Sequence, residues 1–127
     1  MKNLAIIGRI LFALPFGIMG LNHFLMTNVF LGMMSSFIPG GAYSILITGA
    51  FLIIASISIM LNKNIQIACF GLAALLFIFI VSIHIPGLFT SDWQTALIEL
   101  LKDTGLMGGA IMIGAYYDSI EKAITKE

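Results

Sequence analysis

Six polar side chains in an otherwise apolar chain have types and spacings that suit chemistry: Asn22, His23, His84, Glu99, Lys102 and Asp103. Glu99 and Lys102 are three positions apart and Glu99 and Asp103 four, so on a helix the three share one broad face. Lys102 neutralises one carboxylate, and a histidine from a neighbouring helix can serve the other. A His–carboxylate–Lys cluster can pass protons, and it can hydrogen-bond the carbonyls of a quinone headgroup. Against this stands a plainer reading. Side chains at helix ends are often only interfacial, and Lys102 with Glu99 alone is an ordinary solvated pair. Two histidines at matching depth on different helices are harder to explain that way.

The same residues offer metal ligands, His23 and His84 with Glu99 or Asp103. Met26, Met33 and Met34 add soft sulfur of the kind copper favours. But the chain has no HxxxH or ExxH pair, and methionine is common in apolar interfacial segments. The sequence therefore predicts no metal site. Cys69 is the single cysteine, which excludes a thiol relay within the chain; inside an apolar run it reads as a small lipid-compatible residue.

The elements that must position these groups follow from composition. Of 127 residues, 60% are hydrophobic and 9% charged, and the mean hydropathy is +1.09. So few charges cannot cover the surface of a soluble domain of this size, so apolar side chains must face lipid. The formal net charge is zero and no basic stretch occurs, which argues against a nucleic-acid partner.

Four apolar segments approach the roughly 20 residues needed to cross a bilayer. In lipid each backbone polar group must be paired within its own segment, so the segments are helices. The sequence predicts an all-α, polytopic four-transmembrane-helix bundle as a single domain, residues 1–127, with helices near 4–25, 41–61, 65–85 and 92–118. The first apolar run follows Lys2 and Arg9 but ends in no small-x-small cleavage site, so it reads as a retained helix.

Asn62-Lys63-Asn64 predicts a tight turn between the second and third helices, and Pro39-Gly40-Gly41 another before the second. The uncharged stretch from Thr27 to Pro39 should lie in the interface or dip back into the bundle. Pro86-Gly87 closes the third helix, and Ser91-x-x-Gln94 reads as a capping box opening the fourth, with Trp93 at headgroup level. Pro15 should kink the first helix. Gly17 and Gly20, and Gly105, Gly108, Gly109 and Gly114, mark expected helix contacts, with Gly105-x-x-x-Gly109 suited to packing inside the bundle or to a homodimer seam.

Lys2, Arg9, Lys63, Lys122 and Lys126 fall on one side of this topology and Lys102 toward the other. The positive-inside rule places both termini in the cytoplasm. Asn22, His23, His84, Glu99, Lys102 and Asp103 then gather at one level on the extracytoplasmic side.

At these residues the sequence resembles the DoxX family of small integral membrane proteins. The matching pieces are Gly8-Arg9-Ile10-Leu11-Phe12-Ala13-Leu14, Gly20-Leu21-Asn22-His23-Phe24, Val81-Ser82-Ile83-His84-Ile85-Pro86, and the run from Leu101-Lys102-Asp103 to Gly108-Gly109-Ala110. The resemblance covers nearly the whole chain and implies a four-helix protein of a bacterial-type inner membrane. That family takes its name from a subunit of a thiosulfate:quinone oxidoreductase, and some members are linked to membrane redox systems. A carboxylate is frequent in the second helix of such proteins in a Gly-x-x-Glu pattern; here Gly49 is followed by Ala50, Phe51 and Leu52, so that acidic position is apolar.

Three functions follow as expectations. The first is an accessory subunit of a membrane redox system, with quinone as the cofactor and a protein partner, because no flavin, haem or nicotinamide fingerprint is present. The second is a non-enzymatic membrane scaffold or assembly factor, as a partnered chain or a homo-oligomer. The third and weakest is a small-molecule transporter, since no inverted repeat is evident.

Overall fold

The computed structural model describes residues 2–34 and 38–125. Among them all regular structure is helical: α1 (Lys2–Leu25), α2 (Thr27–Met33), α3 (Ala42–Met60), α4 (Ile65–Phe79), a π-helical turn (Ile80–His84), α5 (Ile85–Gly87) and α6 (Trp93–Thr125). The chain forms two compact units, residues 1–68 and 69–127.

Among the described residues three stretches are long and apolar enough to cross a membrane: Asn3–Leu25, Ala42–Met60 and Ile65–Gly87, the last running through α4, the π turn and α5. Their large apolar side chains point outward as well as inward. Leu11, Leu21, Ile47, Ile54, Ile67 and Phe77 are all exposed, which suits lipid and not water. The protein is therefore an all-α, multi-pass membrane protein.

The fourth expected span differs. α6 has 33 residues, but its charge-free run between Asp103 and Asp118 holds only 14 residues, about 21 Å of helix against a hydrocarbon core of about 30 Å. By length and composition three spans are supported, not specifically four.

In the first unit α1 lies against α3 through small residues. A Cβ on Gly20 would stand 2.7 Å from the Gly49 carbonyl oxygen and from Ile53 Cγ1, and one on Gly17 would stand 2.8 Å from Ser56 Oγ. The expectation that Gly17 and Gly20 mark a helix contact holds. Ser56, fully buried, donates its hydroxyl hydrogen to the Ala13 carbonyl at 2.8 Å, two positions before Pro15. α1 runs through Pro15 as one helix.

Both predicted turns form. Asn62 and Asn64 take left-handed backbone with φ of 59° and 52°, and Gly40 and Gly41 have φ of 96° and 53°; Asn and Gly tolerate this conformation best. Between α1 and the turn at Pro39-Gly40-Gly41 the chain carries a short helix, α2; residues 35–37 lie outside the described residues.

In the second unit Cys69, Leu72, Leu76 and Ile80 are buried on one side of α4 and the π turn, and Ala110 on α6. Gly114 admits the Phe70 ring, at 3.0 Å from where a Cβ would be. Gly105 and Gly108 meet nothing within 4 Å, so Gly105 of the Gly105-x-x-x-Gly109 motif makes no close helix contact among the described residues of the chain. Gly105 lies on the open face of α6.

The entrance to α6 also differs from the expected capping box. The first helical hydrogen bond runs from the Ala96 N–H to the Asp92 carbonyl, and Thr95 Oγ1 donates to Asp92 Oδ1 at 2.8 Å. The helix thus opens at Asp92, one position after the expected Ser91, and its Thr95–Asp92 side-chain bond is not the reciprocal side-chain-to-backbone pairing of a capping box. α6 also extends to Thr125, past the expected end at 118.

Candidate functional site

The site is built on two elements of the second unit. The first is the irregular helix end before Pro86. Proline has no N–H to give to the carbonyl four positions back, and its ring crowds that carbonyl. The backbone widens just ahead of it: the Ile85 N–H bonds to Ile80 O, five positions back. Such a turn holds one more residue than an α turn, which re-aims the side chains on it by about 100°. His84 is the last residue of this turn. Ser82 Oγ donates to the Ile78 carbonyl, a back-bond that commonly accompanies a local bend.

The second element is the N-terminal part of α6, which carries Glu99, Lys102 and Asp103 on one face, as their spacing requires. His84 Nε2 and Asp103 Oδ2 are 2.8 Å apart. An ionised carboxylate only accepts, so Nε2 carries the hydrogen and donates it. Both side chains are largely buried, 12% exposed for His84 and 8% for Asp103. Lys102 pairs with Glu99, and its Nζ stands 3.9 Å from Asp103 Oδ1. Lys102 and Glu99 remain 44% and 40% exposed. The cluster therefore has a buried half, His84 and Asp103, and a wet half, Glu99 and Lys102.

Chemically this is a graded series of polar groups leading from the exposed Lys102–Glu99 pair to a buried imidazole. It can hand a proton along, and it offers N–H donors to an acceptor placed beside His84. The low local dielectric strengthens the buried His84–Asp103 contact relative to water, while the exposed Lys102–Glu99 pair is screened by solvent.

The structure brings His84, Glu99, Lys102 and Asp103 together. Asn22 and His23 belong to the first unit, where His23 has a local setting of its own. His23 is buried. Its Nδ1 donates to the Met19 carbonyl at 2.7 Å, its ring stacks on Phe30 of α2 with centroids 4.2 Å apart, and its Cβ would clash at 2.7 Å with any side chain at position 49. Thr27 Oγ1 donates to the His23 carbonyl at 2.8 Å, which ties the start of α2 to the end of α1. The Asn22 carbonyl accepts from the Met26 N–H at 2.8 Å.

Phe30, Met19 and Ser56 do not stand out in the sequence. Phe30 had a weak signal, an aromatic residue seven positions after a histidine in an uncharged stretch. An apolar pocket of about 220 Å³, lined by Phe51, Ile54, Ser58, Asn64 and Ile67 among others, lies beside the turn between α3 and α4. Its lining includes no titratable group, which sets it apart from the polar site.

Comparison with protein-family models, with curated proteins and with solved structures gives no match.

Proposed function

We propose that the chain is a DoxX-like accessory subunit of a membrane redox system, in which the His84–Asp103 pair and its neighbours Glu99 and Lys102 bind a quinone headgroup or relay protons. The observation that carries this reading is the buried His84–Asp103 hydrogen bond, backed by an exposed Lys102–Glu99 pair. Ionisable groups in membrane-buried positions are costly and tend to mark sites of chemistry. The chain itself carries no redox-cofactor fingerprint, so electrons must come from a protein partner or a second subunit.

This reading includes a fourth crossing by α6. Pairing of Asp103 with His84 lowers the cost of placing that carboxylate at membrane depth, and Lys102 can snorkel to the headgroups. With four crossings both termini share the side of Lys63, the cytoplasm of a bacterial-type inner membrane by the positive-inside rule. Lys126, one of the residues behind that orientation, lies outside the described residues.

The test uses the chain's own probe. Trp93 is the single tryptophan, on the first turn of the helix that carries Asp103. Purified protein in nanodiscs is titrated with a short-chain quinone analogue while Trp93 fluorescence is followed. Saturable quenching that disappears in His84→Ala supports the reading, and quenching that is linear in quinone and unchanged by the substitution rejects it.

A second reading, a non-enzymatic scaffold, is favoured by His23. Its ring is engaged by Met19 and Phe30 and its backbone carbonyl by Thr27, which is the profile of a residue that fixes a helix end.

A further inference from the structure

We propose that His84 Nε2, Asp103 Oδ2 and one Glu99 carboxylate oxygen form a three-ligand site for a divalent transition-metal ion of the zinc type, with Lys102 as the built-in cation that the metal displaces. The sequence argued against a metal because no two ligands stand at a helical metal-binding spacing with a histidine. The structure supplies the ligands from two elements instead, the π turn and α6. Among the described residues, His84, Glu99 and Asp103 each bring one ligand atom to within 4.8 Å of the others.

The geometry is close to what such an ion needs. Ligand atoms at about 2.0–2.2 Å from a tetrahedral zinc lie about 3.3 Å from one another. His84 Nε2 and Asp103 Oδ2 are already 2.8 Å apart, and Glu99 sits on a flexible, half-exposed side chain that can close the remaining gap. One imidazole and two carboxylates leave a fourth position open, the arrangement of reactive zinc centres more than of closed structural ones.

The electrostatics point the same way. Two carboxylates face one site, and the cation beside them is Lys102, paired to Glu99 and 3.9 Å from Asp103 Oδ1. A divalent ion placed between the carboxylates does the work of that ammonium at shorter range, while Lys102, 44% exposed, swings to solvent. Metal binding needs the Nε2 lone pair, so the hydrogen on Nε2 transfers to Nδ1, and no net oxidation or reduction occurs. Binding would tie α6 to the residues before Pro86 and would occupy the atoms a proton or a quinone carbonyl would use. The site thus goes beyond the redox reading and does not rest on it: a chain that binds no quinone can still bind the ion.

The experiment is a Co²⁺ titration of the full chain in detergent, with any affinity tag removed and no quinone present, read by the visible d–d absorption of the bound ion. The expected result is saturation at one ion per chain, competition by Zn²⁺, and loss of the band in Glu99→Gln and Asp103→Asn. Lys102→Met, which removes the competing charge, should tighten Co²⁺ binding about tenfold. Glu99 and Lys102 are half-exposed, so their variants decide the matter even where a change at His84 or Asp103 prevents folding. Absence of a saturable band, an unchanged band in Glu99→Gln, or unchanged or weaker binding in Lys102→Met overturns the proposal.

Discussion

His84 and Asp103 stand 19 positions apart in the chain and 2.8 Å apart in space, and this hydrogen bond joins the irregular end of one helix to the flank of another. Removing one partner of a buried charge-assisted hydrogen bond strands the other, whereas replacing both with apolar groups removes the burden. Asp103→Ala or His84→Ala should therefore cost about 3–5 kcal/mol, while the double variant His84→Leu/Asp103→Leu should lie within about 1 kcal/mol of the parent or above it. Lys102→Met, at the exposed pair, should cost no more than about 1 kcal/mol. Chemical unfolding in detergent micelles measures all four. A double variant as unstable as the singles would show that the two residues are not a pair.

The two glycine groups should respond in opposite ways to alanine. At Gly20 a Cβ meets backbone oxygen and Ile53 at 2.7 Å, and at Gly49 it meets His23 Cβ at 2.7 Å. Each substitution should destabilise by about 1–3 kcal/mol, the range for overpacking a tight contact. Gly105 has open space and a helical backbone, so Gly105→Ala should stabilise by about 0.5–1 kcal/mol. Thermal melting of the three variants in one detergent compares them directly. Loss of stability in Gly105→Ala would mean that an oligomer contact covers that face.

Pro86 is the cause assigned to the π turn. Pro86→Ala restores an N–H that can bond to the Ser82 carbonyl and lets the helix close in α register, turning His84 away from Asp103. A double-mutant cycle on His84 and Asp103 in the Pro86→Ala background should give a coupling below about 0.5 kcal/mol, the level of non-interacting sites. Full coupling in that background would show that the turn holds its shape without the proline.

Much of this fold was readable in the sequence because membrane helices announce themselves by length and polarity. The turns at Asn62-Lys63-Asn64 and Pro39-Gly40-Gly41 were readable too, because left-handed backbone selects Asn and Gly. The pairing of His84 with Asp103 was foreshadowed only as a surplus carboxylate needing a histidine. His84 reaches that carboxylate from a backbone irregularity ahead of Pro86, which no residue periodicity encodes. The open space at Gly105 has a related reason: small-residue spacing records which faces permit close approach, not which face a neighbour within the chain occupies. α6 reads as a span with Glu99, Lys102 and Asp103 near its start, but those three residues fall inside the length needed to cross.

The fourth crossing has its own test. In a Cys69→Ala background, Ser91→Cys and Ser119→Cys are placed on either side of α6, both at exposed positions. A membrane-impermeant maleimide applied to intact cells should label position 91 and leave position 119 unlabelled until the cells are lysed. Labelling of both from outside would mean that α6 lies along the membrane and that only three helices cross it.

The most direct test of the functional claim separates the site from the fold. The double variant His84→Leu/Asp103→Leu is expected to fold, so its quinone titration, followed through Trp93 in nanodiscs beside the parent protein, reports on chemistry alone. Saturable quenching in the parent and none in the folded double variant is the predicted result; equal, saturable quenching in both would contradict the assignment of quinone binding to the His84–Asp103 pair.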